Sequence, residues 1–120
     1  DVFDEIGLFD ESLRVCEDYD LWLRITSKLP VLFLDLPMII KHGGHSDQLS
    51  KVDDGIEKYR IRSLEKILHS SSLNESQSRC ARDMLVQKLN IYANGLEKRD
   101  KLEELDLVGQ KREFWQQWKP

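Results

Sequence analysis

Residues 15–24 read Val15-Cys16-Glu17-Asp18-Tyr19-Asp20-Leu21-Trp22-Leu23-Arg24. Three acids, Glu17, Asp18 and Asp20, stand at the start of an apolar stripe that runs through Leu21, Trp22 and Ile25. The stripe predicts a helix over about residues 18–28, and Pro30 stops it. Acids suit the first turn of a helix, where free N–H groups and the helix dipole favour negative charge. The same placement leaves a carboxylate able to accept a proton from a ligand. Acidic helix starts are common, so the stretch by itself reads most simply as a cap.

Working outward, residues 1–6 form a short helical turn with Val2, Phe3 and Ile6 on one side, ended by Gly7. Residues 8–13 are a loop with apolar anchors. Downstream, Val31-Leu32-Phe33-Leu34 lies between Pro30 and Pro37 and reads as a strand. Met38-Ile39-Ile40-Lys41-His42 reads as a second strand, ended by Gly43-Gly44. The texture then changes. Residues 53–68 are an amphipathic helix, with Ser50 or Asp53 as its cap, and Ser70-Ser71-Ser72 breaks it. Asn74, with Gln77 three residues on, starts a long helix whose stripe is Cys80, Met84, Leu85, Leu89, Tyr92 and Leu96, and Gly95 weakens its end. Residues 97–107 are a charged helical segment closed by Gly109, and a final turn carries Phe114, Trp115 and Trp118.

The chain has 120 residues, enough for one domain of modest size. Its 40% hydrophobic and 33% charged content describes a globular protein, not a disordered one. A net charge of −4 without a basic stripe argues against a nucleic-acid partner. Residues 1–50 hold ten acids against four bases, whereas residues 51–120 hold twelve against fourteen. The acidic front suits a cation or a hydroxyl-rich ligand. Cys16 and Cys80 are too few for a disulfide framework, and free thiols are expected. No apolar run approaches the roughly 20 residues that span a bilayer. A start at Asp1, at once in patterned sequence, suggests a piece of a longer protein.

A second cluster is Lys41-His42-Gly43-Gly44-His45-Ser46-Asp47-Gln48-Leu49-Ser50. Gly43 and Gly44 let the backbone approach a ligand closely. His42 and His45 can donate to a phosphate or, when neutral, ligate a metal, but a pair three apart is half a zinc site. The plainer reading is a polar turn into the following helix.

The run Gly7-Leu8-Phe9-Asp10-Glu11-Ser12-Leu13, then Glu17 to Arg24, then the His-rich segment resembles the C-terminal part of family 2 glycosyltransferases, which have the GT-A fold. That family joins a G-x-F-D-E loop to an E-D-x-D-L-x-x-R helix, and a later strand brings a His and Ser segment beside the donor diphosphate. The resemblance covers about residues 1–52 and leaves residues 53–120 unmatched. It implies an inverting sugar transfer from a nucleotide-sugar donor to a hydroxyl of a glycan or lipid-linked acceptor. Asp18 would be the base and Glu17 would orient the acceptor. His45, with His42 second, would contact the diphosphate or its cation. Trp22, Gly44 and Ser50 would meet substrate, although a tryptophan on an apolar stripe is more often core. Arg24 more naturally braces the helix. The implied fold class is α+β, mostly α. Residues 1–52 would be the C-terminal portion of a GT-A α/β domain, with short helices and two short strands. Residues 53–120 would be an appendage made of a helical hairpin and a helical tail.

The family's nucleotide-binding strands and Asp-x-Asp metal motif lie upstream of the matched region and do not occur in this sequence. Asp18-Tyr19-Asp20 has the letters of that motif but stands where the base belongs. Magnesium or manganese is thus expected for the full-length enzyme, none is expected on this chain alone, and the chain alone is expected to be inactive. A cytoplasmic location follows, at the inner membrane face where the acceptor is lipid-linked. Polysaccharide assembly is the pathway class expected from the family. Association between copies through exposed apolar faces, and with a membrane surface through the aromatic tail, are further expectations. Two rival readings stand beside the enzyme. One is a helical interaction module whose acids and histidines are caps and turn residues; the other is a metal-binding domain using His42, His45 and one acid.

Overall fold

In a computed structural model, residues 1–40, 42 and 55–120 are described. They form five α-helices: α1 (Val2–Ile6), α2 (Glu17–Lys28), α3 (Ile56–His69), α4 (Glu75–Lys98) and α5 (Leu102–Gln117). Each helix packs on its neighbour in the chain where both are described, α1 on α2, α2 on α3, α3 on α4 and α4 on α5. The boundary expected between residues 52 and 53 lies outside the described residues.

Local signals account for most helix ends. The Asp1 carboxylate accepts from the Phe3 and Asp4 amides and starts α1. Gly7 follows it at φ +85°, a conformation that side chains rarely adopt. Asn74 and Gln77 form a reciprocal capping box that starts α4. The C-terminus of α4 is a Schellman turn, in which the Lys101 amide donates to Leu96 O and the Asp100 amide to Glu97 O. Asp100 takes the left-handed position at φ 56°, where glycine is usual. Gly95 lies within α4 near its end, and Gly109 lies within α5 instead of closing the charged segment before it.

The main core lies among α3, α4 and α5, around Leu64, Leu85, Leu89 and Leu96, all almost fully buried. Cys80 and Met84, expected on the α4 stripe, are exposed. The aromatic tail returns to this core. Trp115 is buried, its indole N–H donates to Glu65 at 3.1 Å, and His69, Phe114 and Trp118 pack around its ring. Phe114 remains exposed on the outer side.

The expected α+β class is not what forms. The described residues are helical with no strand, and the GT-A α/β domain is not seen in them. Residues 31–34 and 38–40 run as irregular chain with a bend at Leu36, and Lys41 lies outside the described residues. The physical reason is the lack of a partner. No hydrogen bond joins the backbone of residues 30–40 to another described residue, and a strand exists only in a ladder. Leu32, Phe33, Ile39 and Ile40 are each more than 80% exposed, so no face of the segment is packed. The apolar runs hold β-preferring residues, but no described residue pairs with them.

Two positions provide a direct stability test. Asp100→Gly removes the cost of a left-handed non-glycine residue. Gly109→Ala fills open space, since a Cβ there meets nothing within 4 Å, and it favours the helix. Each substitution is expected to raise unfolding free energy by about 0.5–1 kcal/mol in urea titration. A loss at either site would contradict the corresponding helix boundary.

Candidate functional site

Helix α2 has an inner and an outer face, and its acids divide between them. Asp20 is only 2% exposed. One of its oxygens accepts from Arg24 Nε at 2.9 Å and the other from Lys66 Nζ at 3.0 Å. The other two nitrogens of Arg24 donate to Ile6 O and Leu8 O, each at 2.7 Å. Arg24 thus holds the chain on either side of Gly7, and a Cβ at Gly7 would lie 3.5 Å from the guanidinium. Lys66 also donates to Asp10 at 2.7 Å, and Asp10 accepts from both the amide and the hydroxyl of Ser12. Asp10, Asp20, Arg24 and Lys66 therefore tie the 7–13 loop to α2 and α3.

The outer face is built differently. Cys16 occupies the N-cap position in left-handed geometry, and its buried thiol points at Ile56 O, 3.8 Å away. Burial pushes that thiol above its ordinary value, with Asp18 and Glu17 adding to the effect and Arg60 opposing it. Asp18 is exposed, and its Oδ1 accepts from the Tyr19 amide at 2.7 Å, one of the free donors of the first turn. Glu17 is half-buried beside it. Trp22 is 54% exposed, so it is not core. Glu17, Asp18 and Trp22 line one cleft of about 330 Å³ together with Cys16, Ile56 and Arg60.

The structure thus brings together three of the expected site residues. His42 is exposed and is not among the residues lining this cleft. Gly44, His45 and Ser50 lie outside the described residues. No group of three metal-ligating side chains exists among the described residues. The Asp18-Tyr19-Asp20 letters do not fit a divalent cation, since Asp20 is buried and its two oxygens accept from Arg24 and Lys66. Sequence reasoning placed no site chemistry after residue 53 and so missed Arg60 and Lys66. Both sit on α3, and no local pattern signals which helix face will meet α2.

Over 49 residues the chain is 47% identical to an uncharacterised glycosyltransferase of Rickettsia felis, a stretch covering 41% of this chain and 8% of that protein. A Rickettsia conorii protein of the same description is 45% identical over 49 residues, with the same coverage. One from Rickettsia prowazekii is 40% identical over 47 residues, 39% of this chain and 14% of that protein. The likeness is to glycosyltransferases. It supports that activity in general terms over a short segment, and the chain spans only a small part of these relatives' length. No family model matches the chain, and no solved structure does. No helix among the described residues is long and apolar enough to cross a membrane.

The inner network makes stability depend on pH in a defined sense. Hydrogen bonds from Lys66, then from Ser12, hold the Asp10 carboxyl well below the usual carboxylate range. A depressed folded-state value contributes stability above the unfolded value, near 3.8, that is lost as pH falls. Burial disfavours the Lys66 charge, but its bonds to Asp10 and Asp20 outweigh this and raise its value above 10.5. That contribution is complete below 10.5 and is lost as pH rises through the raised value. Lys66→Met is expected to cost about 1 kcal/mol at neutral pH. It should also flatten the decline below pH 4, as read from urea midpoints across pH. An unchanged acid slope would remove Lys66 as the cause.

Proposed function

We propose that this chain supplies the acceptor side of an inverting glycosyltransferase of the family 2 type. In this reading Asp18 takes the proton from an acceptor hydroxyl. The oxygen so freed bonds to the anomeric carbon of a nucleotide sugar, the bond from that carbon to the diphosphate oxygen breaks, and the configuration inverts. The nucleotide diphosphate leaves with the bonding electron pair. Glu17, half-buried beside Asp18, orients the acceptor, and the exposed indole of Trp22 gives a sugar ring a flat apolar face.

The observation that carries this reading is the unequal fate of two acids in one motif. Asp20 is consumed by Arg24 and Lys66, whereas Asp18 stands exposed in a cleft with one oriented oxygen. A helix cap would also make the bond to the Tyr19 amide, so the reading rests on Asp18 being exposed in a cleft that it shares with Glu17 and Trp22. The relatives' description as glycosyltransferases supports the reaction class. The described residues offer no cation site, and the donor with its magnesium or manganese belongs to other parts of the enzyme. The acceptor class is a glycan or lipid-linked glycan, used at the cytoplasmic face of the membrane.

The test is Asp18→Asn in a protein that includes the donor-binding part. Sugar transfer should fall by about 10²–10⁴-fold, the usual contribution of a general base, with circular dichroism unchanged. Transfer within a fewfold of the parent would exclude Asp18 as the base. The 120-residue chain alone should show no turnover with any nucleotide sugar.

A further inference from the structure

Eight of residues 31–40 are large and apolar, and each of the eight is between 53% and 85% exposed. Single exposed apolar side chains are ordinary, but a contiguous run of them marks a surface that a partner covers. The run is bare on more than one side. Leu32 and Phe33 are neighbours and both are more than 80% exposed, as are Ile39 and Ile40. Its backbone is bare too, since no hydrogen bond joins it to another described residue. Whatever covers the segment must bring apolar surface around it and hydrogen-bonding groups to its amides and carbonyls.

Those two demands, together with charge, choose among the kinds of partner. A lipid surface supplies apolar contact but leaves the amides and carbonyls unpaired, which hydrocarbon does not tolerate. A second copy brings the same acidic front, with ten acids against four bases in residues 1–50, and the two fronts would repel. A folded polypeptide of different sequence meets both demands without that repulsion. In the relatives, the stretch similar to this chain is a small part of a far longer polypeptide.

We propose that residues 31–40 are the surface through which this chain joins the donor-binding part of the enzyme. Apolar side chains of that part enclose the segment, and its polar groups take up the bare backbone. This rests on the assignment above of the donor site to other parts of the enzyme and deepens it by naming where the two meet. The segment follows α2 closely, so the helix that presents Glu17, Asp18 and Trp22 to the cleft leads directly into the joint.

The test is hydrogen exchange of the amides in residues 31–40, read by mass spectrometry in the 120-residue chain and in a protein that includes the donor-binding part. In the 120-residue chain the segment should exchange within a fewfold of an unstructured peptide. In the longer protein it should exchange at least about a hundredfold more slowly. Phe33→Asn with Ile39→Asn should restore fast exchange there. The same pair should leave the urea midpoint of the 120-residue chain unchanged, because both side chains are exposed in it. Fast exchange of the unsubstituted segment in the longer protein would overturn the proposal, and so would slow exchange that survives the double substitution. Slow exchange in the 120-residue chain that grows with its concentration would assign the surface to a second copy instead. Slow exchange that needs vesicles of phosphatidylcholine and phosphatidylglycerol would assign it to lipid, and either result would also overturn the proposal. None of these measurements uses turnover, so the reading of Asp18 as the base fails separately.

Discussion

The buried carboxylate of Asp20, shared between Arg24 and Lys66, is the interaction on which the front of this molecule depends. A carboxylate this far from water is tolerated only when paired and fully hydrogen-bonded, and here each oxygen has a cationic donor. Arg24 extends the pairing to the backbone of Ile6 and Leu8, and Lys66 extends it to Asp10. One side chain thereby sets the 7–13 loop, the start of α2 and the seat of α3 relative to each other. The conformation of Gly7 belongs to the same device, since the chain must turn there at positive φ beside the guanidinium.

What this fixes is the outer face. With Asp20 turned inward, helical geometry turns Glu17, Asp18 and Trp22 toward the cleft, and packing against α3 brings Arg60 to the opposite wall. The acidic motif is therefore two motifs interleaved on one helix. Half of it holds the fold and half lines the cleft.

Much of the helical frame was legible in the sequence because its signals are local. Asp1, Gly7, Asn74 with Gln77, and Pro30 each act within a few residues, and the corresponding helix ends form where they stand. The failures arose where structure depends on distant partners. Residues 31–34 and 38–40 had strand composition, but no strand forms where no ladder is available. Glycine misled at position 109, which lies inside α5, whereas the turn that ends α4 uses Asp100 in the left-handed position. Within the site, the bracing role of Arg24 was readable from its distance along the helix. The separation of Asp18 from Asp20 was not, because it is decided by Lys66, which is 46 residues from Asp20. For Trp22 the sequence left substrate contact, implied by the resemblance, beside a core place on the stripe; the indole is exposed, whereas Leu21 next to it is buried.

The central claim is the division of labour between two acids of one helix, and comparative unfolding measures it directly. Asp20→Asn should destabilise the chain by about 2 kcal/mol or more, since it leaves Arg24 and Lys66 without their shared anion. Asp18→Asn should stay within about 1 kcal/mol of the parent, the range of an exposed first-turn acid. Equal losses, or a larger loss at Asp18, would contradict the account.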